Sequence, residues 1–581
     1  MKIKFLKSAS LILILSVVTS MTACGGGKGN TKIDTTRSQL YVGNYDGGVG
    51  TVWLDSFTRY FEEKYKDISF ESGKVGVQIV PDNDRKYGGN TLQTTISNLQ
   101  ADVIFGEDIV YYNYINGLTM DITDLVDGSW TWQVADAEGN PVTLTSAYDE
   151  GTGNTILQKM NVSERDYYSA DGKFYGVPYY YGNVTITYNE EIFDETGAFF
   201  KRGKSSKDFT GNNWEEIFGD KEDALSLGVD KKEGTADDGL PATYDDFFLL
   251  CQYLKDQGSV NGKKIMPLVT CGTYDGYLLD FAETMLADAE GAEEFNLNLT
   301  GKGTAKTLGT LDGNGNFIKD TNPTDITESN MSELQRQKGR YDVLDFAYKL
   351  GNSLTIDGKA STYFEENSMS LSGYSNIVAQ NLFINGNSNY AYAMLLDGNW
   401  WESEATATFN KQGENAKLAY NFKTLPIPKS SEDYVWEGRT YVSTQSNSVL
   451  INNNISENET RKNLAKLFVY EFHTNEQMAT FNGITGILRP YNYTIDKNSD
   501  IWKGMSPYSQ SLYTLYVEDE DTTLLFGQTK LSISNSKYEL DDWSFVSRVG
   551  NNTYANPIKN FYQNKSLTAA DYFNGLKTAQ K

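Results

Sequence analysis

Between Ser38 and Asp108 the hydrophobic period changes at every element. SQLYVGNY reads as a strand, and TVWLDSFTRYFEEKY places Trp53, Phe57, Tyr60 and Phe61 on one helical face. VGVQIVP then alternates Val75, Val77 and Ile79, Leu92, Ile96 and Leu99 mark a second amphipathic helix, and ADVIFGED is a third strand ending in acids. Strands separated by crossover helices pair in parallel, so the segment predicts an α/β sheet with helices on its faces. Ligands of such sheets sit beyond the carboxyl ends of the strands, where the loops GNYDGGVG (43–50) and GED (106–108) fall. The glycine-rich loop is not a phosphate cradle. Gly43 and Gly48 have the P-loop gap, but Val49 and Gly50 stand where Lys and Ser or Thr are required, and GxGxxG is not met.

The start of the chain sets the compartment. Lys2, Lys4 and Lys7 precede the apolar run LILILSVV, too short to span a bilayer, and MTAC closes the pattern of a signal peptide over residues 1–23. MTAC followed by glycines resembles a bacterial lipobox, which makes Cys24 the expected lipidated N-terminus, with 24–37 as a tether and the extracellular face of the cytoplasmic membrane as the location. Losing residues 1–23 removes three lysines and no acid, so the net charge of −26 becomes −29. That surface argues against nucleic acid or anionic lipid as a partner, since both need basic patches.

Composition also limits the chemistry. The single histidine, His473, lies in the helical pattern LAKLFVYEFHTNEQMATF and reads as a partly exposed helix residue; multi-histidine metal sites and histidine-based triads are excluded. Besides Cys24 there are only Cys251 and Cys271, and Cys251 shares a helical face with Phe247 and Leu254, so a buried thiol is expected rather than a bridge. The 77 acidic residues leave glycoside hydrolysis by paired carboxylates open. In the middle of the chain, PATYDDFFLLCQYLKDQG predicts a helix capped by Thr243 with Asp246 three residues on and stopped at Gly258, followed by the strand KKIMPLVTC. Residues Leu297 to Asn322 read as a hairpin or loose insertion.

At DGKFYGVPYYYGNVTITYNEEIFDETG (171–197) the chain resembles the extracellular solute-binding proteins of carbohydrate ABC transporters, which carry a Gly-Lys-x-Tyr-Gly-x-Pro turn, a crossover strand ending Tyr-Asn and a short Phe-Asp helix. LPATYDDFF, FINGNSNYAYAMLLDGNWW, YNFKTLPIPKS and IKNFYQNKSLTAADYFNGLK are similar to further family segments in family order. The resemblance implies a type II periplasmic-binding-protein fold: an α/β lobe of residues 38–182 and about 428–485, a second of 183–427 and about 486–581, a hinge, and a ligand cleft between them. It implies no catalysis, a monomer that captures an oligosaccharide, and integral-membrane permease subunits as partners. Extra length near 199–240 and 297–330 departs from the family. A secreted glycoside hydrolase, or the same fold binding a peptide or other polar solute, are the alternatives.

A sugar presents C–H faces to aromatic rings and hydroxyls to carboxylates and amides. Four clusters, with a further one after Cys271, suit that chemistry: Asn44, Tyr45, Asp46 and Trp53; Asp108 and Tyr111 beside Glu107 and Tyr112; Tyr179 and Tyr181 beside Tyr180; Asn399, Trp400 and Trp401; and Tyr274 and Asp275. The resemblance implies a hydroxyl acceptor at Asp108 and a stacking ring at Trp400 or Trp401. No cofactor is expected except a possible structural calcium at Asp230, Glu233, Asp237 and Asp238 in GVDKKEGTADDG, although Lys232 breaks the EF-hand spacing. LDGNGNF also looks EF-like, but Phe317 stands where Gly is needed, so a hairpin turn is preferred.

Overall fold

The computed structural model describes residues 32–579 apart from 148, 150–152, 257–258, 414, 435–437 and 530–542, so the leader, Cys24 and Gly258 lie outside the described residues. Strand β1 (Ser38–Asn44) pairs in parallel with β2 (Val77–Asn83) and β3 (Val103–Glu107), as the alternating pattern requires. The crossover helix α1 (Val52–Lys64) buries Trp53, Leu54, Phe57 and Phe61. The next, α2 (Gly89–Thr95), is shorter than its apolar pattern suggests and runs on as a 3-10 turn over Ile96–Asn98. Val75 stands before the strand and is exposed.

The chain then crosses into a second sheet. Strand β4 (Val184–Asn189) is followed by α3 (Tyr244–Asp256), the hairpin β5 (Ser259–Val260) and β6 (Lys263–Thr270), and the helices α4 (Gly276–Thr300), α5 (Lys338–Asn352) and α6 (Asn376–Asn385). Strands β7 (Tyr390–Gly398) and β8 (Phe422–Leu425) complete the order β5-β6-β7-β4-β8, in which only β6 and β7 are parallel. Helix α3 begins with the expected reciprocal cap: the Thr243 amide donates to Asp246 Oδ2 at 3.0 Å and the Asp246 amide to Thr243 Oγ1 at 3.2 Å.

Strand β9 (Arg439–Ser443) carries the chain back, and β10 (Asn447–Ile451) adds antiparallel to β3, giving the first sheet the order β10-β3-β1-β2. Helix α7 (Glu459–Phe472) covers that sheet, α8 (Asn475–Thr485) packs on α7 and α1, and β11 (Thr522–Phe526) later pairs in parallel with β9. The chain does not leave this side at residue 485: the Tyr181 amide donates to the Leu488 carbonyl at 2.9 Å, and the Arg489 guanidinium lies 4.1 Å from the Phe472 ring centroid.

Several local expectations change once packing is visible. His473 is fully buried rather than partly exposed, because it caps α7 beneath Tyr491, with Nδ1 2.6 Å from the Val469 carbonyl oxygen and Nε2 3.4 Å from that of Pro178. Burial, with Arg489 nearby, drives its pKa down and keeps the ring neutral. Cys251 and Cys271 are both free and buried. The acidic loop does not form a calcium site. Asp237 Oδ2 accepts from the amides of Val229 and Asp230 and pairs with the buried Arg439, Glu233 pairs with Arg202, and Asp238 accepts from the Gly234 amide. Among the described residues no group of three or more acids, cysteines or histidines is arranged to hold a metal ion. The second EF-like stretch is a hairpin turn in which Asp312 accepts from the Asn314 and Asn316 amides. No described helix is long and apolar enough to cross a membrane.

Candidate functional site

A cleft of about 1110 Å³ opens between the two sheets at the ends where β1 and β3 finish. One wall is the glycine loop after β1. Ideal Cβ atoms at Gly47 and Gly88 would stand 2.2 Å and 2.5 Å from the Tyr45 ring, so both positions must lack a side chain for the ring to sit between them. At Gly48 a Cβ would meet Trp400 Cδ1 of the opposite wall at 2.8 Å. The loop therefore has glycines where one wall approaches the other, and Ser403 Oγ donates across the gap to the Val49 carbonyl at 2.9 Å.

Strand β3 delivers the acids. Glu107 is 6% exposed and accepts from the Tyr179 hydroxyl at 3.0 Å. Burial first, then the charges of Asp108 and Glu404, raise its pKa to about 8, so it holds a proton at neutral pH. Asp108 takes a left-handed φ of 54°, a conformation costly for a residue with a side chain. From the other wall, Trp400 follows the end of β7 and folds over Gly398, where any Cβ would lie 2.3 Å from the ring; Tyr277 meets Trp400 edge-on at 5.8 Å. Glu404, one helical turn on, accepts from Gln380 at 2.7 Å and Asn376 at 3.0 Å, and Gln380 also donates to Asp397 at 3.1 Å. Burial raises the pKa of both Glu404 and Asp397, and at Asp397 the neighbouring Glu404 adds to it.

Six expected residues come together here: Tyr45, Asp46, Asp108, Tyr274, Asp275 and Trp400. Seven do not line the cleft and are buried. Asn44 bonds to Asn83 inside the first sheet, and Trp53 packs on Phe105 and Phe472 with its indole N–H on the Gly50 carbonyl. The Tyr111 hydroxyl donates to the Tyr168 carbonyl, Tyr179 holds Glu107, and Tyr181 is sealed against Tyr516. Asn399 donates to the Tyr181 carbonyl, and Trp401 is enclosed by Phe383, Phe422 and Tyr508. In each case the side chain points into its own layer, a direction that residue type does not encode. Arg85, Gln445 and Gln528 line the cleft without having been singled out, yet each follows a strand end or links two strands, the position that the carboxyl-end rule marks. Glu404 was not singled out either; it lies four residues after Trp400, one helical turn on.

No family model matches the sequence, and no curated protein matches it either. Solved structures do. The maltose-bound MalE3 of T. maritima matches over 94% of this chain and 99% of its own, with 12% identity and a TM-score of 0.50. A structure reported with xylan utilization by the thermophilic bacterium Caldanaerobius polysaccharolyticus matches over 93% of this chain and 99% of its own, with 10% identity and a TM-score of 0.51. RafE from Streptococcus pneumoniae aligns over 95% of this chain at 14% identity with a TM-score of 0.47. The chain has the solute-binding-protein fold. The two sheets are joined by crossing segments, residues 178–184 and 439–447. Asn447 ties them together, accepting from the Tyr179 amide at 2.9 Å and donating to the Tyr180 carbonyl at 2.9 Å.

Proposed function

We propose that this protein is the substrate-binding lipoprotein of an ABC importer, capturing an oligosaccharide by closure of two lobes and passing it to integral-membrane permease subunits, without catalysis. The observation that carries the reading is the composition of the cleft: the rings of Tyr45, Tyr277 and Trp400 line it together with the carboxyl groups of Glu107, Asp108 and Glu404, a combination that suits the two sides of a sugar. The solute-binding fold and the lipobox at Cys24 support it. Tyr45, Asp46, Asp108, Tyr274, Asp275 and Trp400 are the proposed contacts. Ligand that bridges both walls favours the closed form by its differential affinity, which is how capture becomes a signal to the permease.

A melting screen of the soluble form lacking residues 1–24 against a panel of oligosaccharides tests this. A rise in Tm with one glycan class and no new reducing ends is expected. Release of shorter sugars would instead favour a hydrolase, and shifts with peptides alone would favour another solute.

A further inference from the structure

The charge of the cleft is one-sided. Among the residues lining it Asp46, Glu107, Asp108, Asp275, Asp280 and Glu404 are acids and Arg85 is the one cation. Lys559, 2.9 Å from Asp275, and Gln445, 3.3 Å from Asp280, serve two of those acids. Glu107, from the first sheet, accepts from Tyr179 and is protonated at neutral pH, which leaves Asp46 and Asp108 on that wall and Glu404, held by Gln380 and Asn376, on the other. Glu404 Oε1 is turned toward the glycine loop, 3.2 Å from where a Cβ of Gly48 would stand. Asp397 lies behind Glu404 on the same glutamine.

We propose that Asp46 and Asp108 on one wall and Glu404 on the other make the cleft a reader of ligand charge that admits neutral or amino glycans and rejects acidic ones. This rests on the sugar-binding reading and deepens it. Hydroxyl and ammonium hydrogens have acceptors on both walls. A uronate, sulfate or phosphate finds a single lining guanidinium and is closed in against carboxyl groups, where like charges in a partly dry site cost several kcal/mol.

The experiment is titration calorimetry at pH 7 with three sets matched in length: neutral cello-, xylo- and malto-oligosaccharides, glucosamine oligomers, and oligogalacturonides. Binding of a neutral or amino set with acidic oligomers at least about 100-fold weaker is expected, the fold-change that several kcal/mol implies. Oligogalacturonides binding as tightly as the best other set would overturn the charge reading and leave the sugar reading standing, whereas binding of no set removes both. The isosteric variants Asp46→Asn and Glu404→Gln, checked for an unchanged circular dichroism spectrum, are expected to narrow the acidic-to-neutral gap by about tenfold or more. A gap left unchanged in both would overturn the assignment to these acids.

Discussion

Trp400 and Trp401 are adjacent in sequence and separated in role by a rotation along the chain. Trp400 lines the cleft and Trp401 is fully enclosed by Phe383, Phe409, Phe422 and Tyr508. Trp401→Ala is therefore expected to cost about 3–5 kcal/mol in urea unfolding, the range for emptying a large aromatic site. Trp400 is itself only 6% exposed, so Trp400→Ala also loses stability, but it alone is expected to abolish the glycan-induced rise in Tm. Loss of that rise in a folded Trp401→Ala, with Trp400→Ala retaining it, would contradict the two placements. Gly48 is the other decisive residue. An alanine there meets Trp400 at 2.8 Å unless the walls separate, so Gly48→Ala is expected to enlarge the radius of gyration in small-angle scattering of the ligand-free protein, with Tm nearly unchanged. Identical scattering profiles would show that the ring yields instead.

At the scale of elements, the alternation of strand and helix from Ser38 to Glu107 was readable because each face of those elements has one job, core or solvent. The Thr243 cap and the strand after it were readable for the same reason: their signals are local. The return strand β10 was not, since nothing near Asn447 says that it will pair antiparallel with β3, more than three hundred residues earlier. That pairing places Asn447 beneath the crossing segment, where its amide serves both Tyr179 and Tyr180. Asn447→Ala leaves those buried backbone groups without partners and is expected to lower stability by about 2–3 kcal/mol in chemical denaturation. A loss under about 0.5 kcal/mol would mean that water replaces the side chain.

Across the whole molecule, folding buries several carboxyls that the unfolded chain exposes. Glu107 is raised from 4.5 to about 8, and Glu164 and Glu290, both buried, to about 7. For a raised carboxyl the folded state keeps its proton while the unfolded state has lost it, so the stabilisation is complete below about pH 4.5 and lost as pH rises through the folded value. Tm is accordingly expected to fall between pH 5 and pH 8.5, and Glu107→Gln to flatten the part of that slope between pH 7 and pH 8.5. A Tm that climbs with pH across this window would contradict the burial of these acids. What the sequence by itself determined is the set of local properties: an α/β order of elements, an acidic chain rich in carboxylates and rings, and loops at strand ends as the place to look for a site. Which of those residues meet was decided by tertiary structure. Trp53, Tyr179 and Trp401 carry the same chemistry as Tyr45, Tyr277 and Trp400, and only the pairing of distant strands, which sets the direction of each side chain, sends three rings into the core and three to the cleft.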